Sequence, residues 1–233
     1  GDWSSDVCSS DLRRSTSIRV SPAAMTVNLL ELDRPGFAQF CAGLGAKPYR
    51  ARQLMRWIHQ GGVADFDAMT DLPKAERSTM AQEWTISPSS IHRRFDSTDG
   101  TRRYLVALDD GELAETVFIP ESYRNTICVS SQIGCALACT FCLTGQLGLK
   151  RHLSPGEIVG QVLVAQRDNL TLENRDDFNI VLMGMGEPLH NYDNVMKAVR
   201  ILHDPEGVNM SMGRITLSSA GMLPAIERLA TEP

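Results

Sequence analysis

Long hydrophobic runs are missing from this sequence. No window approaches the roughly eighteen uninterrupted apolar residues that a membrane-spanning helix needs. Residues 1–20 also contain no hydrophobic stretch able to act as a secretory signal. The sequence therefore gives no support for a membrane protein or for a secreted one.

A surplus of positive charge is missing as well. The chain has 23 Lys and Arg residues against 28 Asp and Glu residues, a net charge of -5, which argues against a protein that coats nucleic acid over its whole surface. Local basic patches can still bind phosphate. The cysteines number 6, and half of them stand in one short run. This arrangement is typical of a metal site in a reducing compartment rather than of a disulfide framework, so we expect a cytoplasmic protein.

The 233 residues are enough for one large domain, or for a small domain followed by part of a larger one. The chain begins without methionine, and its first residues, from Gly1 to Leu12, resemble peptides produced when sequencing-adapter DNA is translated by mistake. We therefore expect residues 1–24 to be a non-native or disordered tail, with Met25 nearer the true start. Cys8 is given no role.

Residues 25–88 are predicted to form a small helical domain. Apolar residues recur at the three- and four-residue steps of one helix face over 37–44, and Gly45 is able to end that helix. A second helix is predicted over 49–59. A third is predicted over 73–84, because proline is favoured in a first helical turn.

Residues 89–125 are predicted to be a β-hairpin linker. The segments 103–108 and 113–119 are rich in β-branched, aromatic and aliphatic residues, and Asp109-Asp110-Gly111 between them is a turn sequence. We expect this hairpin to bridge the helical domain and the remainder of the chain.

From residue 126 onward strands alternate with helices, which predicts an α/β domain with a parallel sheet and crossover helices. Ser154 and Glu157 form the capping-box signature that starts the first of these helices. Ligands of such sheets bind at the carboxyl ends of the strands, so the segments after the strands are the candidate site. The predicted strands are 126–131, 178–183 and 214–218, and the predicted helices are 154–167, 192–203 and 223–230.

The segment after the first strand contains Cys135, Cys139 and Cys142 in a Cys-x-x-x-Cys-x-x-Cys run with glycine on either side. One compact loop can bring three thiolates to a single metal centre. A structural zinc site is normally closed by four ligands, whereas an iron–sulfur cluster held by three cysteines leaves one iron open to a further ligand. The spacing favours the cluster. A zinc loop completed by Cys128 or His152, or three unligated thiols, stays open at this point.

The segments after the second and third strands are Gly184-Met185-Gly186-Glu187-Pro188 and Leu217-Ser218-Ser219-Ala220-Gly221. Glycine lets the backbone approach a ligand closely, which leaves Glu187 poised to hold a cationic amine. A sharp turn with a solvated glutamate is the structural alternative, since short glycine motifs are common. Ser218 is able either to hydrogen-bond a cofactor or to cap the next helix.

Together these motifs resemble the RlmN/Cfr family of radical S-adenosylmethionine (SAM) enzymes, from about residue 25 to the last residue. The resemblance rests on the segments 128–142, 145–151, 183–188 and 215–219. It implies the first three βα units of an incomplete radical SAM (β/α)6-type partial barrel, with residues 126–233 as the truncated core. It also implies a [4Fe-4S] cluster on Cys135, Cys139 and Cys142, and contacts to SAM from Gly186, Glu187 and Ser218.

The resemblance gives two further residues a catalytic role. Cys128 corresponds to a family cysteine that resolves a covalent protein–RNA intermediate, although a strand cysteine is otherwise a packing residue. Glu115 corresponds to the family's proton acceptor, although a strand glutamate is otherwise an outward-facing residue. In the family, a 5'-deoxyadenosyl radical activates a methyl group carried by a second cysteine near the carboxyl end, and the resulting methylene adds to adenine. This chain has no later candidate for that cysteine and ends after its third strand–helix unit, leaving that strand's edge unpaired, so we expect an amino-terminal fragment that is inactive alone.

The function implied is methylation of carbon 2 of adenine in 23S rRNA and tRNA, with an electron donor such as flavodoxin and a monomer at full length. Methylation of carbon 8, as in Cfr, and a zinc-stabilised RNA-binding module without catalysis are the alternatives. Residues 25–88 also resemble the family's RNA-binding accessory domain. Positive charges cluster around Tyr49 and Trp57 and along the hairpin, where either phosphate binding or a solvated surface would explain them. The basic residues concerned are Lys47, Arg50, Arg52, Arg56, His92, Arg93, Arg94, Arg102 and Arg103.

Overall fold

The computed structural model describes residues 27–170 and 178–232, so the predicted tail 1–24 lies outside the described residues. The helices in chain order are α1 (Arg34–Gly43), α2 (Tyr49–Met55), α3 (Lys74–Glu83), α4 (Leu143–Gln146), α5 (Pro155–Asn169), α6 (Tyr192–His203) and α7 (Leu223–Leu229). The strands are β1 (Val27–Asn28), β2 (Trp84–Thr85), β3 (Ser90–Asp96), β4 (Arg102–Ala107), β5 (Leu113–Ile119), β6 (Asn125–Cys128), β7 (Gln132–Ile133), β8 (Arg151–His152), β9 (Phe178–Leu182) and β10 (Ile215–Leu217). Short 3-10 turns cover Leu29–Glu31, Phe66–Ala68, Pro188–Asn191 and Met212–Arg214.

The first part of the chain is helical, as predicted. Asp33 caps α1 by accepting a hydrogen bond from the backbone N–H of Gly36 at 3.1 Å. Gly45 follows α1 with a φ of +65°, the left-handed conformation in which helices commonly end. The predicted helix 49–59 is confirmed, but after α2 its last turn, Arg56–Gln60, has π-type hydrogen bonding. β1 and β2 pair in parallel and bring the two ends of this part together.

A six-stranded mixed sheet follows, in the order β10-β9-β6-β5-β4-β3. The predicted hairpin is present as β4 and β5, but β3 adds a third antiparallel strand that was not predicted. β3 lies at an edge and most of its side chains are exposed, so it lacks the alternating apolar pattern that identifies a half-buried strand. β5 also pairs with β6. The hairpin therefore continues the main sheet.

The predicted parallel strands and crossover helices are confirmed. β9 pairs in parallel with both β6 and β10, and α5 and α6 are the connecting helices. The strands are shorter than predicted, because the chain leaves the ladder after Cys128, Leu182 and Leu217 and enters the loops of the candidate site. Within the described residues β10 is the last strand on its side of the sheet.

Helix α5 is buried on nearly all sides, because it lies between the sheet and the helical part. It contacts β5 and β6 on one side and the Leu29–Glu31 turn on the other. Ser154 and Glu157 form the predicted capping box at its start. The carboxylate of Glu31 also accepts hydrogen bonds there, from Ser154 Oγ at 2.5 Å and from the backbone N–H of Gly156 at 3.1 Å. The helical part is thus docked onto the amino-terminal end of α5.

A second contact between the two parts involves the loop after α6. Arg34 donates to Asp204 from Nε at 2.7 Å, and Arg52 Nη2 lies 2.8 Å from Glu206 Oε1. Arg56 also pairs with Glu206, whose side chain is buried. One hydrophobic core runs through both parts of the molecule. In the two described ranges no helix combines the length and the apolar character needed to cross a membrane.

Candidate cofactor-binding site

The loops that follow β6 and β9 meet at the carboxyl ends of these strands. The backbone N–H groups of Ser131 and Gln132 both donate to the carbonyl oxygen of Met185, at 2.9 and 3.2 Å. The N–H of Gly184 donates to the carbonyl oxygen of Val129 at 3.1 Å. Because neighbouring parallel strands end at the same edge of a sheet, the predicted convergence of the cysteine run and the glycine motif is confirmed.

The cysteine loop, residues 134–148, is closed at its base by glycine. The N–H of Cys135 donates to the carbonyl oxygen of Gly148 at 3.1 Å. Gly134 has a φ of +76°, and a Cβ placed there would lie 1.8 Å from that same carbonyl oxygen. A residue with a side chain would therefore force the loop open. Within the loop, the N–H of Cys142 donates to the carbonyl oxygen of Cys139 at 3.1 Å, which folds the chain between these two cysteines into a tight turn.

The loop carries all three predicted cluster ligands, of which Cys135 is buried and Cys139 and Cys142 are half-buried. Across residues 27–170 and 178–232, however, no three His, Cys, Asp or Glu side chains are arranged so that they hold a metal ion. The structure thus brings the thiols onto one loop without placing them in ligating positions. The donor set itself, three thiols on one glycine-closed loop, fits an iron–sulfur cluster held by three cysteines.

The zinc alternative finds less support in the geometry. His152 Nδ1 already lies 2.9 Å from Gln132 Nε2, in hydrogen-bond contact. Cys128 is at the end of β6 in register with Val117 of the neighbouring strand, so it belongs to the sheet rather than to the cysteine loop. Neither residue is placed as the fourth ligand that a closed tetrahedral site needs.

Glu187 is buried, with 3% of its surface exposed. Its Oε1 accepts the N–H of Leu189 at 3.1 Å, and its Oε2 accepts the N–H of Ala220 at 2.9 Å. The carboxylate therefore links the end of β9 to the loop after β10, and the alternative of a solvated glutamate is wrong. A carboxylate has about four acceptor positions, so these bonds leave capacity for a further donor.

Ser218 is exposed and follows β10 directly. The residue at the N-cap of α7 is Met222, and no side chain caps that helix. The alternative in which Ser218 caps the next helix is therefore wrong. Ser218 remains on the same rim as Glu187, because the N–H of Ala220, two residues later, contacts the Glu187 carboxylate.

The two predicted catalytic residues lie on one face of the sheet. Along β5 the side chains of Ala114, Thr116 and Phe118 are buried, whereas Glu115 projects from the opposite face. Cys128 is directly opposite Val117, and Val117 shares the face of Glu115. Burial raises the pKa of the Cys128 thiol, and the Glu115 carboxylate raises it further, against a backbone hydrogen bond at Met183 that lowers it. Cys128 and Glu115 are thus close enough to interact electrostatically.

Arg103 on β4 contacts Glu115. Its Nη1 donates to Glu115 Oε2 at 3.1 Å, and its guanidinium lies 4.2 Å from the centre of the Phe95 ring. Arg93 approaches the same ring at 4.6 Å. Arginine stacked on an aromatic ring is a surface on which a nucleobase can stack.

The predicted basic patch around Tyr49 and Trp57 is only partly available for RNA. Arg50 is buried and pairs with Glu76 at 3.1 Å, so its prediction as a phosphate contact is wrong. Arg52 and Arg56 are more than half exposed but bind Glu206. A run of charges on a helix gave no indication of these acidic partners, which are distant in sequence.

Two polar residues at this site were not predicted from the sequence. Gln132 is fully buried between the two loops, and Asn191 donates to the carbonyl oxygens of Ser131 at 2.8 Å and Leu153 at 2.7 Å. The only signal for Gln132 was its position beside the cysteine run. A polar residue in a loop gives no local sign that it will be buried.

Comparisons with known proteins agree with this geometry. Residues 27–86 match the family model described as the ribosomal RNA large subunit methyltransferase N-terminal domain. Residues 129–232 match the model of the radical SAM superfamily. Among solved structures, a radical SAM methyltransferase from Sphaerobacter thermophilus is similar, with 42% sequence identity and a TM-score of 0.81. The alignment covers 89% of this chain and 61% of the Sphaerobacter chain.

Proposed function

We propose that this chain, which belongs to the RlmN-like radical SAM methyltransferases, is part of an enzyme that methylates carbon 2 of adenine in 23S rRNA and tRNA. The observation that carries the proposal is the junction of the cysteine loop with the Gly184–Glu187 loop, beside the sheet face that presents Cys128 and Glu115. The chain spans 61% of the length of the Sphaerobacter protein, and the activity proposed is that of a whole protein of such a length.

Cys135, Cys139 and Cys142 would hold a [4Fe-4S] cluster, and Gly186, Glu187 and Ser218 would contact SAM. The cluster, when bound, supplies the electron that cleaves SAM reductively and yields a 5'-deoxyadenosyl radical. Glu187 is suited to its part because its carboxylate is fixed in place by two backbone N–H groups. Gly186, with a φ of +99°, lets the backbone approach the cofactor without a side chain in the way.

Glu115 and Cys128 would act on the RNA. The carboxylate of Glu115, held by Arg103, accepts a proton from the modified adenine. Cys128 would resolve the covalent link between protein and RNA, and burial raises the pKa of its thiol. RNA would approach over the Arg93, Phe95 and Arg103 surface, and the helical part would supply further contacts. An electron donor such as flavodoxin, a monomeric state at full length and a cytoplasmic location complete the proposal.

The test is anaerobic reconstitution of the full-length protein with iron and sulfide, followed by incubation with SAM, reductant and RNA. We expect about four irons per chain, release of 5'-deoxyadenosine, and 2-methyladenosine in the digested RNA. Stoichiometric zinc without iron would refute the cluster and support an RNA-binding module. Formation of 8-methyladenosine would support the radical chemistry but refute the proposed methylation position. The enzyme would then methylate carbon 8, as members of the Cfr branch do.

A further inference from the structure

A fully buried glutamine joins the two loops of the candidate site. Gln132 in β7 has 0% of its surface exposed. Its Oε1 accepts the backbone N–H of Glu187 at 2.8 Å. Its Nε2 lies 2.9 Å from Nδ1 of His152 and 3.3 Å from Nδ1 of His190. One side chain therefore contacts the Gly184–Glu187 loop, strand β8 and the Pro188–Asn191 turn.

The chemistry of these contacts determines where the protons are. The backbone nitrogen of Glu187 can only donate, so the atom of Gln132 that faces it has to be the amide oxygen. The NH₂ group then points towards the two histidines, and Nδ1 of each ring has to accept. A neutral imidazole that accepts at Nδ1 carries its proton on Nε2. The network thus selects the same tautomer for His152 and His190.

Packing also fixes the contact between Gln132 and the Gly186–Glu187 turn. A Cβ added at Gly186 would lie 2.5 Å from the Cβ of Gln132, so the glutamine occupies the space beside the glycine. The two histidine rings are 5.1 Å apart and perpendicular, and they enclose the amide from the other side. The turn at Gly186 is therefore held in one position relative to β7, which leads directly into the cysteine loop.

We propose that Gln132 is a positioning residue that holds the Gly186–Glu187 turn against the cysteine loop and sets the tautomer of His152 and His190. The consequence for cofactor binding rests on the proposed function, because Gly186 and Glu187 are the proposed SAM contacts. Removing the amide leaves the buried N–H of Glu187 without this acceptor, and the loss of one buried hydrogen bond of this kind weakens SAM binding by about tenfold.

The first test reads the tautomers directly, by ¹⁵N NMR of the metal-free full-length protein labelled at histidine. In the wild type, both rings show a protonated Nε2 and an accepting Nδ1. Gln132→Leu abolishes this preference. In Gln132→Glu the carboxylate still accepts the Glu187 N–H, but it donates to neither histidine ring. The ring that contacts this carboxylate, His152 or His190, then has to donate to it, so its proton moves from Nε2 to Nδ1. Histidine spectra that are the same in the wild type and in both variants would overturn the proposal.

Gln161→Leu is the matched control. Gln161 is also 0% exposed, and its Oε1 accepts the N–H of Ser130 at 2.8 Å, but its partners do not include either histidine. This variant loses buried hydrogen bonds of the same type, and we expect a similar loss of stability with an unchanged histidine spectrum. If Gln161→Leu alters the tautomers as much as Gln132→Leu, general loosening of the fold explains the effect and the proposal is wrong.

The second test measures SAM affinity of the reconstituted holoenzyme by equilibrium dialysis. Gln132→Leu is expected to bind SAM about tenfold more weakly than the wild type, and Gln132→Glu is expected to recover part of the loss because it restores the acceptor for Glu187. Equal affinity of wild type and Gln132→Leu would refute the positioning role. A wild-type holoenzyme that binds no SAM would instead refute the proposed function, while the tautomer spectra would still decide the role of Gln132.

Discussion

Substitution of Glu206 tests how the helical part is held on the sheet domain. The side chain of Glu206 is 6% exposed, whereas those of Arg52 and Arg56 are 59% and 58% exposed. Arg52 lies 2.8 Å from the carboxylate, and Arg56 contacts its other oxygen. We expect Glu206→Gln to loosen this attachment, because the two guanidinium groups lose the negative charge that they share.

The magnitude follows from the burial of the carboxylate. Glu206→Gln keeps the shape and leaves arginines that water can solvate, so it should cost about 1–2 kcal/mol of unfolding free energy. Arg52→Met combined with Arg56→Met leaves a buried charge uncompensated and should cost about 3 kcal/mol. With about 2–4 °C per kcal/mol for a chain of this length, the melting temperature should fall by about 2–8 °C and about 6–12 °C respectively.

The effect should depend on pH. The hydrogen bond from Arg56 lowers the pKa of Glu206 from its ordinary value of 4.5, burial opposes this, and Arg52 lowers the pKa further. A carboxyl group whose pKa is depressed by folding contributes its stability above the unfolded pKa and loses it as the pH falls through the folded pKa. The stability difference between wild type and Glu206→Gln should therefore be complete at pH 7 and should shrink on acidification below 4.5.

The assay is thermal unfolding followed by circular dichroism, at neutral pH and under acid conditions. Arg228→Met is the control, because Arg228 pairs with Asp193 at 2.6 Å on the surface, where both side chains are more than half exposed. A surface pair of this kind should contribute less than about 1 kcal/mol. If Glu206→Gln melts with the wild type at pH 7, or the double arginine variant is no less stable than Arg228→Met, the buried carboxylate does not hold the two parts together.

Three further outcomes are expected. Gly134→Ala should reduce the iron bound after reconstitution from about four per chain to near zero, because its Cβ would lie 1.8 Å from the carbonyl oxygen of Gly148; normal iron content would show that the loop tolerates the side chain. Glu115→Gln should speed alkylation of Cys128 at mildly alkaline pH, because burial and the Glu115 carboxylate both raise the pKa of this thiol. An unchanged rate would show that the Glu115 carboxylate does not influence the Cys128 thiol. Arg50→Met should destabilise the protein by about 1–3 kcal/mol without changing the salt dependence of RNA binding, and a flatter salt dependence would restore Arg50 as a phosphate contact.

The sequence by itself determined which elements form and in what order. Capping residues such as Ser154, the positive-φ glycines and the apolar periodicity act within a few residues, so they could be read along the chain. The order of strands and helices then predicted a parallel sheet with its ligands at one edge, and the cysteine spacing indicated the chemistry. β3 was missed because an edge strand with exposed side chains lacks that periodicity.

Only the tertiary structure decided which polar groups are buried and with what they pair. Arg50 belongs to the interior and Glu206 binds arginines that are 150 and 154 residues away in sequence. Gln132 owes its role to the approach of two loops and two histidines, none of which is signalled by its immediate neighbours. Burial and pairing depend on which surfaces come together in the folded chain, and a charge or an amide looks the same in the sequence whether water or another residue will satisfy it.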